Sequence, residues 1–140
     1  MQIERFQPDH LRRLLLQPSQ AFLGESMSDP AYGEMLAQST SFSAIDGDQV
    51  VGCAGIIPMW EGRSVAWALL SADIGPRMVK IHRAAVRLLA FQTCRRIEAT
   101  CDVRFEPARR WLEMLGFQLE GRLRAYTPTG DDHDLYARVR

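Results

Sequence analysis

Apolar residues change their spacing along the last third of the chain. Ala108, Trp111, Leu112 and Leu115 recur at helical intervals, and beyond Gly116 the set Phe117, Leu119, Gly121 and Leu123 alternates as a strand does. Gly116 stands where a helix end favours a left-handed residue, a conformation open to glycine because it lacks a Cβ. Pro128, Thr129, Gly130 and Asp131 read as a turn, after which Leu135, Ala137 and Val139 form a second alternating set. The pattern predicts helix, strand, turn, strand.

Upstream, residues 2–6 alternate as a short strand, and Pro8 with Asp9, a candidate N-cap, precedes a helical run over residues 10–16. Gln17, Pro18 and Ser19 break that run, and residues 20–28 fit no single period. Asp29 then reads as an N-cap with Pro30 at the first helical position, opening a helix to about Gln38. Residues 41–45 and 49–57 are strand candidates joined by Asp46, Gly47 and Asp48, a strong hairpin signal. Gly52, Ala54 and Gly55 in the second of these leave room for another group to approach the backbone. A turn over residues 60–63 leads to a fourth strand, residues 64–71 (SVAWALLS).

The longest helical pattern runs from Pro76 to about Arg95. Met78, Ile81, Ala85, Leu88, Leu89 and Gln92 fall on one face and Arg77, Lys80, Arg83 and Arg87 on the other. Residues 97–103 alternate again, so strand, helix, strand implies a parallel crossover. The order is β, α, α, β, β, β, α, β, α, β, β. It predicts a single mixed α/β domain spanning residues 1–140, without repeats or linkers.

Composition adds limits to this picture. The chain has 140 residues, 46% hydrophobic and 24% charged, which is ordinary for a globular domain. Its net charge is zero, but residues 1–70 hold 4 basic and 8 acidic side chains and residues 71–140 hold 13 and 9. The +4 of the second half favours an anionic ligand there. Cys53, Cys94 and Cys101 lack metal or disulfide spacing and read as reduced thiols, and His10, His82 and His133 are scattered, so no metal is expected. No window approaches a transmembrane span or a signal core, and a soluble cytoplasmic protein is expected. Neutral overall charge and a basic helix without interleaved aromatics argue against nucleic acid.

The text E-x-x-G-F-x-x-E-G, beginning at Glu113, followed by R-x-Y, a turn and a final strand with D-x-Y (Asp134 to Tyr136), resembles the C-terminal half of the GCN5-related N-acetyltransferase (GNAT) superfamily, especially its ribosomal-protein N-acetyltransferase-like branch. The element order is similar over nearly the whole chain. The resemblance implies a central mixed, V-shaped sheet of six or seven strands flanked by helices. It also implies transfer of acetyl from acetyl-coenzyme A to a primary amine through a ternary complex. In that family the pantetheine arm pairs with the fourth strand, here the backbone of Leu69, Leu70 and Ser71. The pyrophosphate meets a Gly-rich turn opening the long helix, because helix N-termini offer unpaired donors.

This chain departs from the Q/R-x-x-G-x-G/A pattern of that turn. One frame places Lys80, Arg83 and Ala85 there, with arginine in place of the main glycine; another uses Gly75, Pro76, Arg77 and Met78 as a shorter turn. The cofactor-binding candidates are therefore Leu69, Leu70, Ser71, Gly75, Arg77, Met78 and Lys80. The family's general base is often a carboxylate on the fourth strand, which has none here, and its tyrosine acid falls at Leu112. Phe105 stands where an asparagine is usual. Asp73 past the fourth strand and Tyr126, placed on the sixth, remain as catalytic candidates, with Glu61 as a further carboxylate. Trp60 and Trp67 read as acceptor-pocket lining or as turn cover and sheet core. The eroded positions keep open a second reading, a binding or structural domain similar to phage-encoded, virion-associated acetyltransferase-like proteins. By analogy of fold, a homodimer through the last strands is a further expectation.

Overall fold

A computed structural model describes Met1–Arg140. Seven strands form one hydrogen-bonded sheet in the order β1-β2-β3-β4-β5-β7-β6, flanked by helices. The strands are β1 Gln2–Arg5, β2 Thr40–Asp46, β3 Gln49–Trp60, β4 Arg63–Leu70, β5 Arg96–Asp102, β6 Gln118–Leu123 and β7 His133–Val139. The α-helices are α1 Gly24–Met27, α2 Pro30–Ala37, α3 Met78–Ala90 and α4 Glu106–Met114. The chain clusters into two compact units, Met1–Ile57 with Trp67–Gln92, and Pro58–Ala66 with Thr93–Arg140.

In the first unit β1, β2 and β3 pair antiparallel, and Gly47 at φ 60° makes the tight β2–β3 turn. Its core gathers Phe6, Leu11, Leu14, Leu36, Val50, Cys53 and Leu69. Helix α3 buries Ile81, Ala84, Ala85 and Leu89 and turns Arg83 and Arg87 to solvent, as an amphipathic helix over a sheet should. Asp29 caps α2 by accepting from the Ala31 N–H at 3.0 Å, with Pro30 next to it. The small residues of β3 leave space for this unit's own side chains: a Cβ on Gly52 would lie 3.0 Å from both Ile81 Cδ1 and Leu70 Cδ2.

In the second unit β4 begins parallel to β5, pairing Arg63 with Arg96, Ser64 with Ile97 and Val65 with Glu98. Strand β7 then pairs antiparallel with β5 on one side and β6 on the other, and Gly116 at φ 89° ends α4 as expected. Tyr136, Phe117, Ile97 and Leu112 are buried here.

Three expectations shift. The helical run at residues 10–16 is a 3-10 turn, Pro8–Arg13, with Gln7 rather than Asp9 at its cap. It stops because Leu15 and Leu16 are drawn into hydrogen bonding with the end of β4. The long helix ends at Ala90, short of Arg95, since Arg96 must leave the helix to donate its N–H to the Gly62 carbonyl at 2.9 Å. Tyr126 lies beyond β6 in the connection to β7, not on the strand.

Candidate functional site

Strand β4 carries the first group of candidates. Alternation sends the backbone groups of odd- and even-numbered residues to opposite edges. Ser71 donates to the Val51 carbonyl of β3 at 2.9 Å. On the other edge the even residues meet residues 15–20. Gln17 N–H donates to Leu70 O at 3.0 Å, and Ala72 N–H to Leu15 O at 3.0 Å. The Gln20 carboxamide bridges the strand, donating to Ala68 O at 2.6 Å and accepting from Leu70 N–H at 3.0 Å. Leu69 and Leu70 are buried, and Ser71 is fully buried beside an isolated bridge to Leu16. The backbone groups expected to receive an extended amide ligand are thus present and engaged within the chain.

The turn after β4 carries the second group. The Ser71 hydroxyl donates a short hydrogen bond to Asp73, whose carboxylate also accepts from Gln49 Nε2 at 2.9 Å and lies 3.5 Å from Arg77. The Ser71 hydroxyl first, with Gln49 and the Arg77 charge, holds the Asp73 carboxyl below its ordinary value. Arg77 pins the turn: it donates to Asp73 O at 2.8 Å, to Asp46 and to Gln49 Oε1 at 3.2 Å each, and to Ile74 O at 3.3 Å. Gly75 takes φ 51° with open space where a Cβ would stand, and a 3-10 turn Gly75–Arg77 runs into α3. Met78 is half-buried, and Lys80 Nζ donates to Met1 O at 2.8 Å. The structure therefore brings Ser71, Asp73, Gly75 and Arg77 into one braced turn, with Gln49 and Asp46 as partners that spacing in the sequence did not reveal.

The remaining candidates stand in different surroundings. Tyr126 belongs to the second unit, half-exposed, its ring centroid 5.2 Å from that of His133. Leu112 is buried, and Phe105 precedes α4 without a side-chain cap. Trp60 is exposed with the Arg63 guanidinium 4.4 Å over its ring. Trp67 packs edge-on to Phe6 at 5.4 Å and donates to Ser39 Oγ at 3.3 Å, so it serves the core of the first unit. Glu61 borders a cavity of about 560 Å³ with Gly62, Thr93, Cys94 and Arg95. In the same unit Arg63, and then Arg96, pair with Glu98 and depress its carboxyl to about 2.

No group of three or more His, Cys, Asp and Glu side chains is placed to hold a metal ion, and no helix is long and apolar enough to cross a membrane. A buried file of Cys53, Ser43 and His10 links three elements of the first unit: Ser43 Oγ is 3.3 Å from Cys53 Sγ and 2.8 Å from His10 Nδ1. His10 Nδ1 also accepts from the Gln7 N–H, which leaves Nε2 to face Glu4 at 3.4 Å.

The chain has the fold of solved GNAT-family acetyltransferases. No family model matches the chain, and no curated protein is detectably similar to it in sequence. Among solved structures, an N-acetyltransferase from Staphylococcus aureus Mu50 matches with a TM-score of 0.74 at 16% identity, over 99% of this chain and 97% of that one. The ribosomal-protein-S5-alanine acetyltransferase from Vibrio fischeri matches with a TM-score of 0.69 at 16% identity, over 98% and 91%. A GNAT-family acetyltransferase from Bacillus anthracis gives 0.69 at 17% identity, over 98% and 93%. At these identities the likeness is one of fold.

Proposed function

We propose that the chain is an acetyl-coenzyme A-dependent N-acetyltransferase acting on a primary amine. The observation that carries this is the outer edge of β4: its pairing with β5 covers residues 63–65, while the strand runs on to Leu70 and presents Ala68 O, Leu70 N–H, Leu70 O and Ala72 N–H in strand register. An extended amide chain such as pantetheine matches that register. The turn at Gly75 and Met78 together with Lys80 would receive the pyrophosphate, with Arg77 bracing the turn.

In the transfer, the amine nitrogen forms the new bond to the acetyl carbon as the thioester C–S bond breaks; the amine loses a proton and the thiolate takes one. Asp73 is the carboxylate at the end of β4, and Tyr126 offers a phenol, in the two roles of proton acceptor and donor. Release of free thiol over a panel of primary amines tests the reading. Asp73→Asn and Tyr126→Phe are each expected to slow it by about a hundredfold; an unchanged rate removes that residue from the chemistry. No thiol release with any amine overturns the proposal.

A second reading, binding without transfer, is supported by Leu112, buried and apolar where the family carries its phenol, and by the engagement of Arg77. In it the domain is a binding or structural component. Coenzyme binding without turnover would identify it.

A further inference from the structure

Residues 15–20 meet the outer edge of β4 in an unusual way. A regular strand partner would use its backbone throughout, but Pro18 has no N–H and forces Gln17 into an extended conformation, observed at φ −62° and ψ 148°. The backbone ladder therefore stops at Gln17. The Gln20 side chain takes over, its carboxamide standing in for a peptide group between Ala68 O and Leu70 N–H. The segment is held by partial packing, Leu16, Leu23 and Met27 resting half-buried against the core. Neither the 3-10 turn Pro18–Leu23 nor α1 contains a buried residue, and Leu15 is 70% exposed. A cavity of about 420 Å³, lined by residues including Leu14, Leu16, Ala21, Gly24 and Met27, lies against it.

We infer that residues 15–20 form an exchangeable strap: they close the β4 edge in the free protein and leave it when a strand-pairing ligand arrives. The strap is an intramolecular competitor for the groups such a ligand needs. A backbone ladder of two hydrogen bonds, a side-chain mimic of the rest and no fully buried side chain place it at the low-stability end of the structure. Its opening is a property of this chain alone; the displacement by ligand rests on the acetyltransferase reading above.

Amide hydrogen exchange on the full chain, followed by NMR, tests this. Ser71 and Ala72 are neighbours whose N–H groups face opposite edges, so melting of β4 would expose both, whereas strap opening exposes Ala72 and Gln17 and leaves Ser71 protected. The expected result is exchange at Gln17 and Ala72 at least about tenfold faster than at Ser71; equal rates overturn the strap. With coenzyme A added, Gln17 should lose protection while Leu70 and Ala72 keep it, and binding that leaves Gln17 protected overturns the strap as well. Gln20→Ala removes two bonds that hold the strap, and should tighten coenzyme A binding by about tenfold while leaving Ser71 exchange unchanged. Unchanged or weaker binding by this variant counts against the competition. If coenzyme A binds neither protein, the proposed function falls, and the exchange rates of the free protein alone decide the strap.

Discussion

A methyl group added at Gly55 has no room. An ideal Cβ there would lie 2.7 Å from Ser41 Cβ, 2.8 Å from Thr40 O and 2.8 Å from Trp67 Nε1. Ser41 is the direct cross-strand partner of Gly55 and Thr40 that of Ile56, so relief means moving the β2–β3 ladder itself. Trp67 cannot swing aside freely, since its N–H bonds Ser39 and its ring packs against Phe6. Overpacking of this kind costs about 1–3 kcal/mol. For 140 residues the unfolding entropy is about 0.3 kcal/mol/K, so Gly55→Ala should lower the melting temperature by roughly 3–10 °C. Gly24→Ala is the control: nothing lies within 4 Å of its Cβ position and its backbone is helical, so it should be neutral or stabilising by about 0.4–1 kcal/mol. Paired melts followed by circular dichroism measure both. If Gly55→Ala melts within about 1 °C of the parent while Gly24→Ala behaves as expected, the close-approach account of β3 is refuted.

Burial lowers the pKa values of His10 and His133 below 6.5, so the unfolded chain takes up protons before the folded one does. The stability this gives is complete above pH 6.5 and is lost as pH falls through the folded values; Glu98, held near 2, adds its own loss only below about 4.5. Urea unfolding from pH 8 to 5 should show the decline, and His10→Gln should flatten part of it. Arg77→Ala should destabilise by about 1–2 kcal/mol, because its guanidinium joins Asp46, Gln49 and the Asp73 carbonyl at once. Arg77→Lys should recover less than half of that loss in the same unfolding assay, having one point charge in place of a five-donor fork.

Local signals were legible where one residue dictates one conformation. Gly116, Gly47, and Asp29 with Pro30 fixed a helix end, a hairpin and a helix start, and each is found in place. Strand β4 was legible from its own pattern, but the groups that meet its end were not. Its partners, Gln17 and Gln20, lie 48 to 53 residues away, in the break after the first helical run and at the start of the segment with no clear period, where tertiary hydrogen bonding overrides local preference. Arg77 illustrates the same limit from the other side. A basic stripe opposite an apolar one shows that a helix has a polar face, but not that one of its arginines reaches back to Asp46 and Gln49 on a hairpin. The distinction between Trp60 and Trp67 likewise required the fold, since both flank the start of the fourth strand in the sequence.

The claim at the centre of the account is that the β4 edge and the turn beyond it receive acetyl-coenzyme A. Thermal unfolding with and without millimolar acetyl-coenzyme A tests it directly. A ligand at about 100 times its dissociation constant stabilises by about 2.7 kcal/mol, which for a chain of this length is a rise of about 9 °C. A rise of that order, saturating with ligand concentration, is the predicted result. A melting temperature that does not move over the same range contradicts the account.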